Sequence, residues 1–264
     1  MKNLEIFWIR HSVSTANVSN IFEKIINNTL FYFSSKDPAL ISDAESGSCY
    51  LGKNLTKEIK DSALVGCSEM RRAIQTAILM FPKKFKEGKI KVLPGIQENG
   101  FGAGNVARDI ETNKRLLSEW CMKMRRKDEC KKLGDLFKNK EQIQKAVNKL
   151  YSDIDSPDFK MIRNEKNAKE IQFLNCLIPY LENKKIKKMP IVSHSNYLRD
   201  SVMVKSLVTR KENQYLRKDQ KLHNNQIMKK DYQYDKKNIY VKGQKIYDFG
   251  CHYESRVVDC YHWY

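Results

Sequence analysis

Leu4-Glu5-Ile6-Phe7-Trp8-Ile9 runs directly into Arg10-His11-Ser12-Val13-Ser14-Thr15-Ala16-Asn17. The first six residues are apolar except Glu5. That is the pattern of a strand buried on both faces of a parallel sheet. The next eight place a guanidinium and an imidazole where the strand ends, followed by hydroxyls and an amide. Those groups suit binding and attack on a phosphoryl group, whereas packing at a strand end needs none of them.

Outward from this stretch, strands alternate with helices. Short strands are predicted at Ala63–Cys67, Ile90–Leu93 and Met189–Val192. Met70, Ala73, Ile74, Ala77, Ile78 and Phe81 follow the i, i+3, i+4 rule, and Pro82 is read as the stop of that helix. Ile171, Leu174, Ile178 and Leu181 share a second helical face, which Pro179 kinks or ends. Ser14 is a plausible N-cap for a helix over Thr15–Ile26, Phe31–Gly47 reads as loop, and a helical stretch is expected near Tyr197–Leu207. Ile227–Tyr234 and Asn238–Val241 read as a hairpin. The expected fold is α/β, a three-layer αβα sandwich with a mostly parallel central sheet. One domain, residues 1–264, is expected, with residues 103–165 as an inserted helical cap.

Composition narrows the class. At 41% hydrophobic, 264 residues can bury a real core. No run of 18 apolar residues exists, so a membrane span is not expected. The first residues lack the basic and long apolar regions of a secretion signal. The seven cysteines form no C-x-x-C pair, which argues against a zinc site and a disulfide scaffold and for a reducing, cytoplasmic setting. The net charge of +18 suits an anionic partner. No zinc finger, RNP1 or basic zipper accompanies it, so nucleic acid is not the expected partner. Much of the charge, including Lys123–Lys132, reads as solvated lysine.

In open α/β sheets, ligands bind beyond the carboxyl ends of the strands. Here those ends carry Arg10-His11, Ser68-Glu69-Met70-Arg71-Arg72, Gln97-Glu98-Asn99 and Ser193-His194-Ser195. Guanidinium forks bind phosphoryl oxygens with paired bonds. An imidazole with one unprotonated nitrogen can attack phosphorus, and a second can stabilise the equatorial oxygens. A carboxylic acid can protonate the departing alkoxide. The scheme requires neither metal nor cofactor, and none is expected. Arg71 and Arg199 read as peripheral.

In these blocks the chain resembles the histidine phosphatase superfamily, in its phosphoglycerate mutase-like branch. The family opens with R-H-G-x-S/T-x-x-N after its first strand, matched by Arg10, His11, Ser14 and Asn17. Its second block, S-x-L-x-R-A-x-x-T-A, is matched by Ser68, Arg72, Ala73, Thr76 and Ala77, with Met70 for leucine. Glu98-Asn99-Gly100-Phe101-Gly102 resembles the third block. Ser193, His194 and Arg199 match S-H-G-x-x-x-R. Ser12 and Ser195 stand where the family has glycine. The resemblance implies His11 as nucleophile, Glu98 as proton donor, and Arg10, Arg72, His194 and Asn17 around the phosphoryl group.

Mutase and phosphatase share the phosphohistidine step. The long stretch between Glu98 and His194 is comparable with mutases. However, their G-W-x-D signature is absent from Ile21–Leu40, and Val13 replaces their usual acidic residue. The expectation is therefore a phosphatase acting on an anionic phosphorylated small molecule or a phosphopeptide. The alternatives are a mutase-type phosphotransferase and an inactive binding or scaffold member, the latter motivated by Ser12 and Ser195.

Overall fold

The computed structural model describes residues 1–14, 37–99, 105–124, 131–202, 222–236 and 238–247. The predicted helix at Thr15–Ile26 and the candidate ligand Asn17 lie outside these residues.

Among the described residues six strands form one sheet: β1 (Lys2–Arg10), β2 (Val65–Ser68), β3 (Ile90–Leu93), β4 (Lys188–Ser193), β5 (Ile227–Tyr234) and β6 (Ile239–Tyr247). Their order is β3-β2-β4-β1-β5-β6. The first four in that order are parallel, while β5 runs antiparallel to both β1 and β6. The sheet is thus mixed and mostly parallel.

Side chains alternate across a strand, and β1 shows what each face meets. Phe7 and Ile9 enter one apolar core with Ala73, Ile74, Ala77 and Ile78 of the helix Arg71–Met80. Ile6 and Trp8 enter another with Phe173, Leu174, Leu177 and Leu181 of the helix Glu170–Asn183. Two cores on opposite faces of one sheet make the three-layer αβα sandwich. Both faces of β1 being buried explains its near-continuous apolar run.

Several local expectations are corrected. We label the helices α1 (Ser42–Asn54), α2 (Arg71–Met80), α3 (Pro82–Glu87) and α4 (Glu170–Asn183). The predicted loop Phe31–Gly47 overlaps α1, where Ser46, Gly47 and Ser48 are helical. Ser48 Oγ donates to Ala44 O (2.9 Å), so the hydroxyl is satisfied inside the helix. Pro82 does not merely stop α2. It opens α3 at the first helical position, where its missing N–H costs nothing, and Gly88 closes α3 at φ 72°. Pro179 neither ends nor bounds α4 but sits inside it. Strand β6 is longer than predicted and carries a register shift opposite Asp231/Tyr232.

Between Ile110 and Leu150 the chain forms helices Ile110–Met124, Lys131–Leu136 and Lys140–Leu150. Leu117, Cys121, Leu133, Ile143, Val147 and Leu150 join the same core as Phe7 and Ile9. Cys67, Cys121 and Cys176 are free and buried, whereas Cys49 is disulfide-bonded, a bridge the cysteine pattern did not suggest. Among the described residues no helix is long and apolar enough to cross a membrane.

Candidate active site

Parallel pairing brings the strand ends level. Arg10 faces Ser193 across β1 and β4, and His11 N donates to Ser193 O (2.9 Å). His11 and His194 therefore leave adjacent strands side by side, with ring centroids 5.0 Å apart. The end of β2 supplies Ser68, whose Oγ lies 2.9 Å from His194 Nε2. The first turn of α2, just beyond, supplies Arg72, and the loop after β3 supplies Glu98.

Arg72 is the hub. Its Nε donates to His11 Nε2 (3.1 Å), and its Nη2 lies 3.8 Å from Glu98 Oε2. The other ring nitrogen of His11, Nδ1, lies 2.5 Å from Ser12 O. A carbonyl only accepts, so Nδ1 carries the hydrogen and the lone pair sits on Nε2. Glu98 Oε1 accepts from the backbone N–H of Asn196 (2.9 Å), in the first turn of the helical segment 195–202. Asn196 Nδ2 donates to Asn99 O (3.0 Å), tying the Glu98 loop to that turn. Arg10 Nη1 donates to Leu222 O (2.6 Å).

The site lies in a low-dielectric interior: His11 is 1% exposed, Arg72 2%, His194 0% and Glu98 9%. Burial, then Arg72 and Arg10, hold the His11 pKa well below the usual imidazole value. Burial, then Arg72, His11 and Arg10, do the same to His194. Burial and the two guanidiniums thus favour the neutral form of both rings. Burial raises the Glu98 pKa above the ordinary carboxylate value, with Arg72 opposing. Desolvation outweighs the nearby guanidinium, so this carboxyl holds a proton more readily than one in water.

The donor atoms of His11, Glu98 and His194 lie within 4.8 Å of one another, a set able to hold a metal ion. Arg72, however, already occupies the His11 lone pair and faces Glu98. A divalent cation would have to displace one buried positive charge and sit near a second, Arg10. The electrostatics favour an anion.

Of the residues picked from sequence, the fold brings His11, Arg72, Glu98 and His194 together, with Arg10 adjoining. Asn17 lies outside the described residues. Arg199 forms two hydrogen bonds to Asp200. The backbone N–H of Arg71 donates to buried Asp37 (2.8 Å). Sequence reasoning missed Asn196, Asn224 and Asn225. The last two belong to the turn before β5, where His223-Asn224-Asn225-Gln226 was visible only as a polar stretch.

No family model and no curated protein matches the sequence. Solved structures do. The ecdysone phosphate phosphatase of Bombix mori matches at 13% identity over 91% of this chain and 92% of its own, with a TM-score of 0.49. A phosphoserine phosphatase of Entamoeba histolytica matches at 12% over 91% and 96%, TM-score 0.42. The alpha-ribazole phosphatase of Shigella flexneri matches at 15% over 90% and 95%, TM-score 0.39. At these identities the likeness is one of fold, and the meeting of His11, Arg72, Glu98 and His194 at the carboxyl ends of the strands stands on this chain's own geometry.

Proposed function

We propose that this protein is a metal-independent phosphatase of phosphomonoesters or phosphoproteins, working through a phosphohistidine on His11. The observation that carries the reading is the His11 ring: Nδ1–H is held by Ser12 O, and the Nε2 lone pair points at the Arg72 guanidinium. A neutral imidazole aimed at a buried cation is a nucleophile awaiting an anionic electrophile.

The steps follow from these groups. A phosphoryl dianion takes the Arg72 and Arg10 donors, with His194 beside it and Asn17 as a further donor. Nε2 attacks phosphorus as the ester P–O bond breaks, and the equatorial charge is met by Arg72 and Arg10. The departing alkoxide takes the proton of Glu98. Asn196 N–H occupies Oε1, so the transferable proton sits on Oε2, the oxygen facing Arg72. Water then attacks the phosphohistidine, Glu98 accepts its proton, and inorganic phosphate leaves.

Ser12 and Ser195 do not favour the scaffold reading. Neither adopts a positive φ, so glycine's conformational freedom is not needed at either position. The Ser12 hydroxyl donates to Ala44 O (3.1 Å).

The test is hydrolysis of p-nitrophenyl phosphate in excess chelator by the native protein and by His11→Ala. Turnover with an acid-labile phosphoenzyme, both lost in the variant, is the expected result. No turnover and no phosphohistidine in the native protein would overturn the reading.

A further inference from the structure

Every polar atom of Ser12 is engaged. Its N–H donates to Thr76 Oγ1 (3.0 Å), which in turn donates to Arg72 O (2.9 Å). Its carbonyl takes the Nδ1–H of His11. Its hydroxyl donates to Ala44 O in α1 and accepts from Asn225 Nδ2 (3.1 Å). One hydroxyl hydrogen and one lone pair are thus spent on two segments far apart in sequence, and the residue is fully buried.

The turn supplying Asn225 grips the same loop repeatedly. Asn225 N donates to Arg10 O (3.0 Å), Arg10 N to Gln226 O (3.1 Å), and Asn224 Nδ2 to His11 O (2.9 Å). Asn225 holds φ at 64°, the left-handed region that asparagine tolerates better than most residues. That conformation serves a turn whose amide reaches Ser12.

We propose that Ser12 and Asn225 are a positioning pair that sets the tautomer and attack direction of His11, a proposal resting on the reading of His11 as the nucleophile. The peptide plane carrying Ser12 O is what the imidazole hangs from. A glycine there would keep the N–H bond to Thr76 Oγ1 and lose both hydroxyl contacts. The serine hydroxyl, clamped between Ala44 O and Asn225 Nδ2, adds two side-chain restraints. The acceptor for Nδ1–H then stays in place, and the Nε2 lone pair stays on line. Small misplacements of a reacting atom are expensive in rate, so restraint of the ring is restraint of the chemistry. The substitution of serine for glycine is, in this chain, one half of a matched pair.

The experiment compares the native protein with Ser12→Ala, Asn225→Gly and the double variant. Glycine keeps the positive φ at 225 open and removes only the amide. With p-nitrophenyl phosphate each single variant is expected to lose about tenfold in kcat, with KM unchanged. The double variant should be no worse than the poorer single, because one tether is cut twice. Unchanged kcat, or losses that multiply, would overturn the pairing. Nitrogen-15 NMR of the His11 ring at pH 7.5 gives a readout independent of activity. The native protein should show one Nδ1–H tautomer, and the variants a mixture. A single Nδ1–H tautomer in both variants overturns the proposal. A native protein without hydrolysis sinks the phosphatase reading, and the tautomer measurement still decides the tether.

Discussion

Arg72 Nε stands 3.1 Å from His11 Nε2 and donates to it, covering the lone pair of that ring. The resting site is therefore self-capped: the same guanidinium that shields the lone pair is the fork that would draw a phosphoryl group onto it.

Arg72→Lys tests that double role. Lysine keeps a charge but loses the planar fork. Hydrolysis of p-nitrophenyl phosphate should fall about 10²-fold or more in kcat/KM. Steady-state kinetics settle it; a loss under threefold contradicts a bidentate role.

Glu98→Gln should discriminate among leaving groups. An alkyl phosphate expels a basic alkoxide and needs the acid, so its kcat should drop about 10²-fold. p-Nitrophenolate leaves without help, so its ester should suffer much less. Equal losses on both esters would contradict Glu98 as the proton donor.

The pH profile with an alkyl phosphate should be bell-shaped. The proposed mechanism needs His11 neutral and Glu98 protonated. Burial with Arg72 and Arg10 lowers the His11 pKa, placing the acid limb below the usual imidazole range. Burial raises the Glu98 pKa, placing the alkaline limb above the usual carboxylate range. Glu98→Gln should abolish the alkaline limb and keep the acid one.

Stability should depend on the same imidazoles. A folded-state pKa below the unfolded value makes a contribution that is present above the unfolded pKa and lost as pH falls through the folded one. For His11 and His194 the loss begins below about 6.5 and continues downward. Melting temperature should fall on acidification through this window, and less so in a His11→Gln/His194→Asn variant. Parallel curves would refute the linkage.

A last variant concerns the sheet's other face. Lys230, 2% exposed, pairs with Glu170 Oε1 (2.7 Å) and donates to Val202 O (2.6 Å), while Tyr232 OH also donates to Glu170. Lys230→Ala takes the cation from the largely buried Glu170 carboxyl, which keeps the Tyr232 hydroxyl, and should cost about 3 kcal/mol. Lys230→Met with Glu170→Gln should cost less. Urea unfolding of both variants gives the comparison.

What was readable in the sequence has a common physical basis. Strands β1, β2 and β4 are buried on both faces, so their apolar runs need no partner to be seen. Helix α2 shows its period because Ala73, Ile74, Ala77 and Ile78 all face one core. His11, Arg72, Glu98 and His194 were legible because strand ends in a parallel sheet converge, and each stands at or just beyond one. Of helix α1, the end at Tyr50 and Leu51 shows helical spacing, but Ser42–Ser48 does not, because serines and a glycine hide its period until packing against α2 overrides local preference. Its Gly52 would bring a Cβ within 2.6 Å of Met80 O, a contact no local pattern reveals. Asn225 was missed for a different reason: its partner, Ser12, is far away in the chain, and nothing local marks such a pair.

The place of β1 in the sheet has a consequence for synthesis. The strand lies between β4 and β5, both of which are made after it. It can pair with β4 first, but its second edge waits until Ile227–Tyr234 has left the ribosome, and the loop bearing His11 acquires the last of its hydrogen bonds with Asn224 and Asn225. His11 is translated early and assembled late. Chain interrupted before that turn would carry His11 with one edge of a strongly apolar strand left open behind it, a species prone to aggregate.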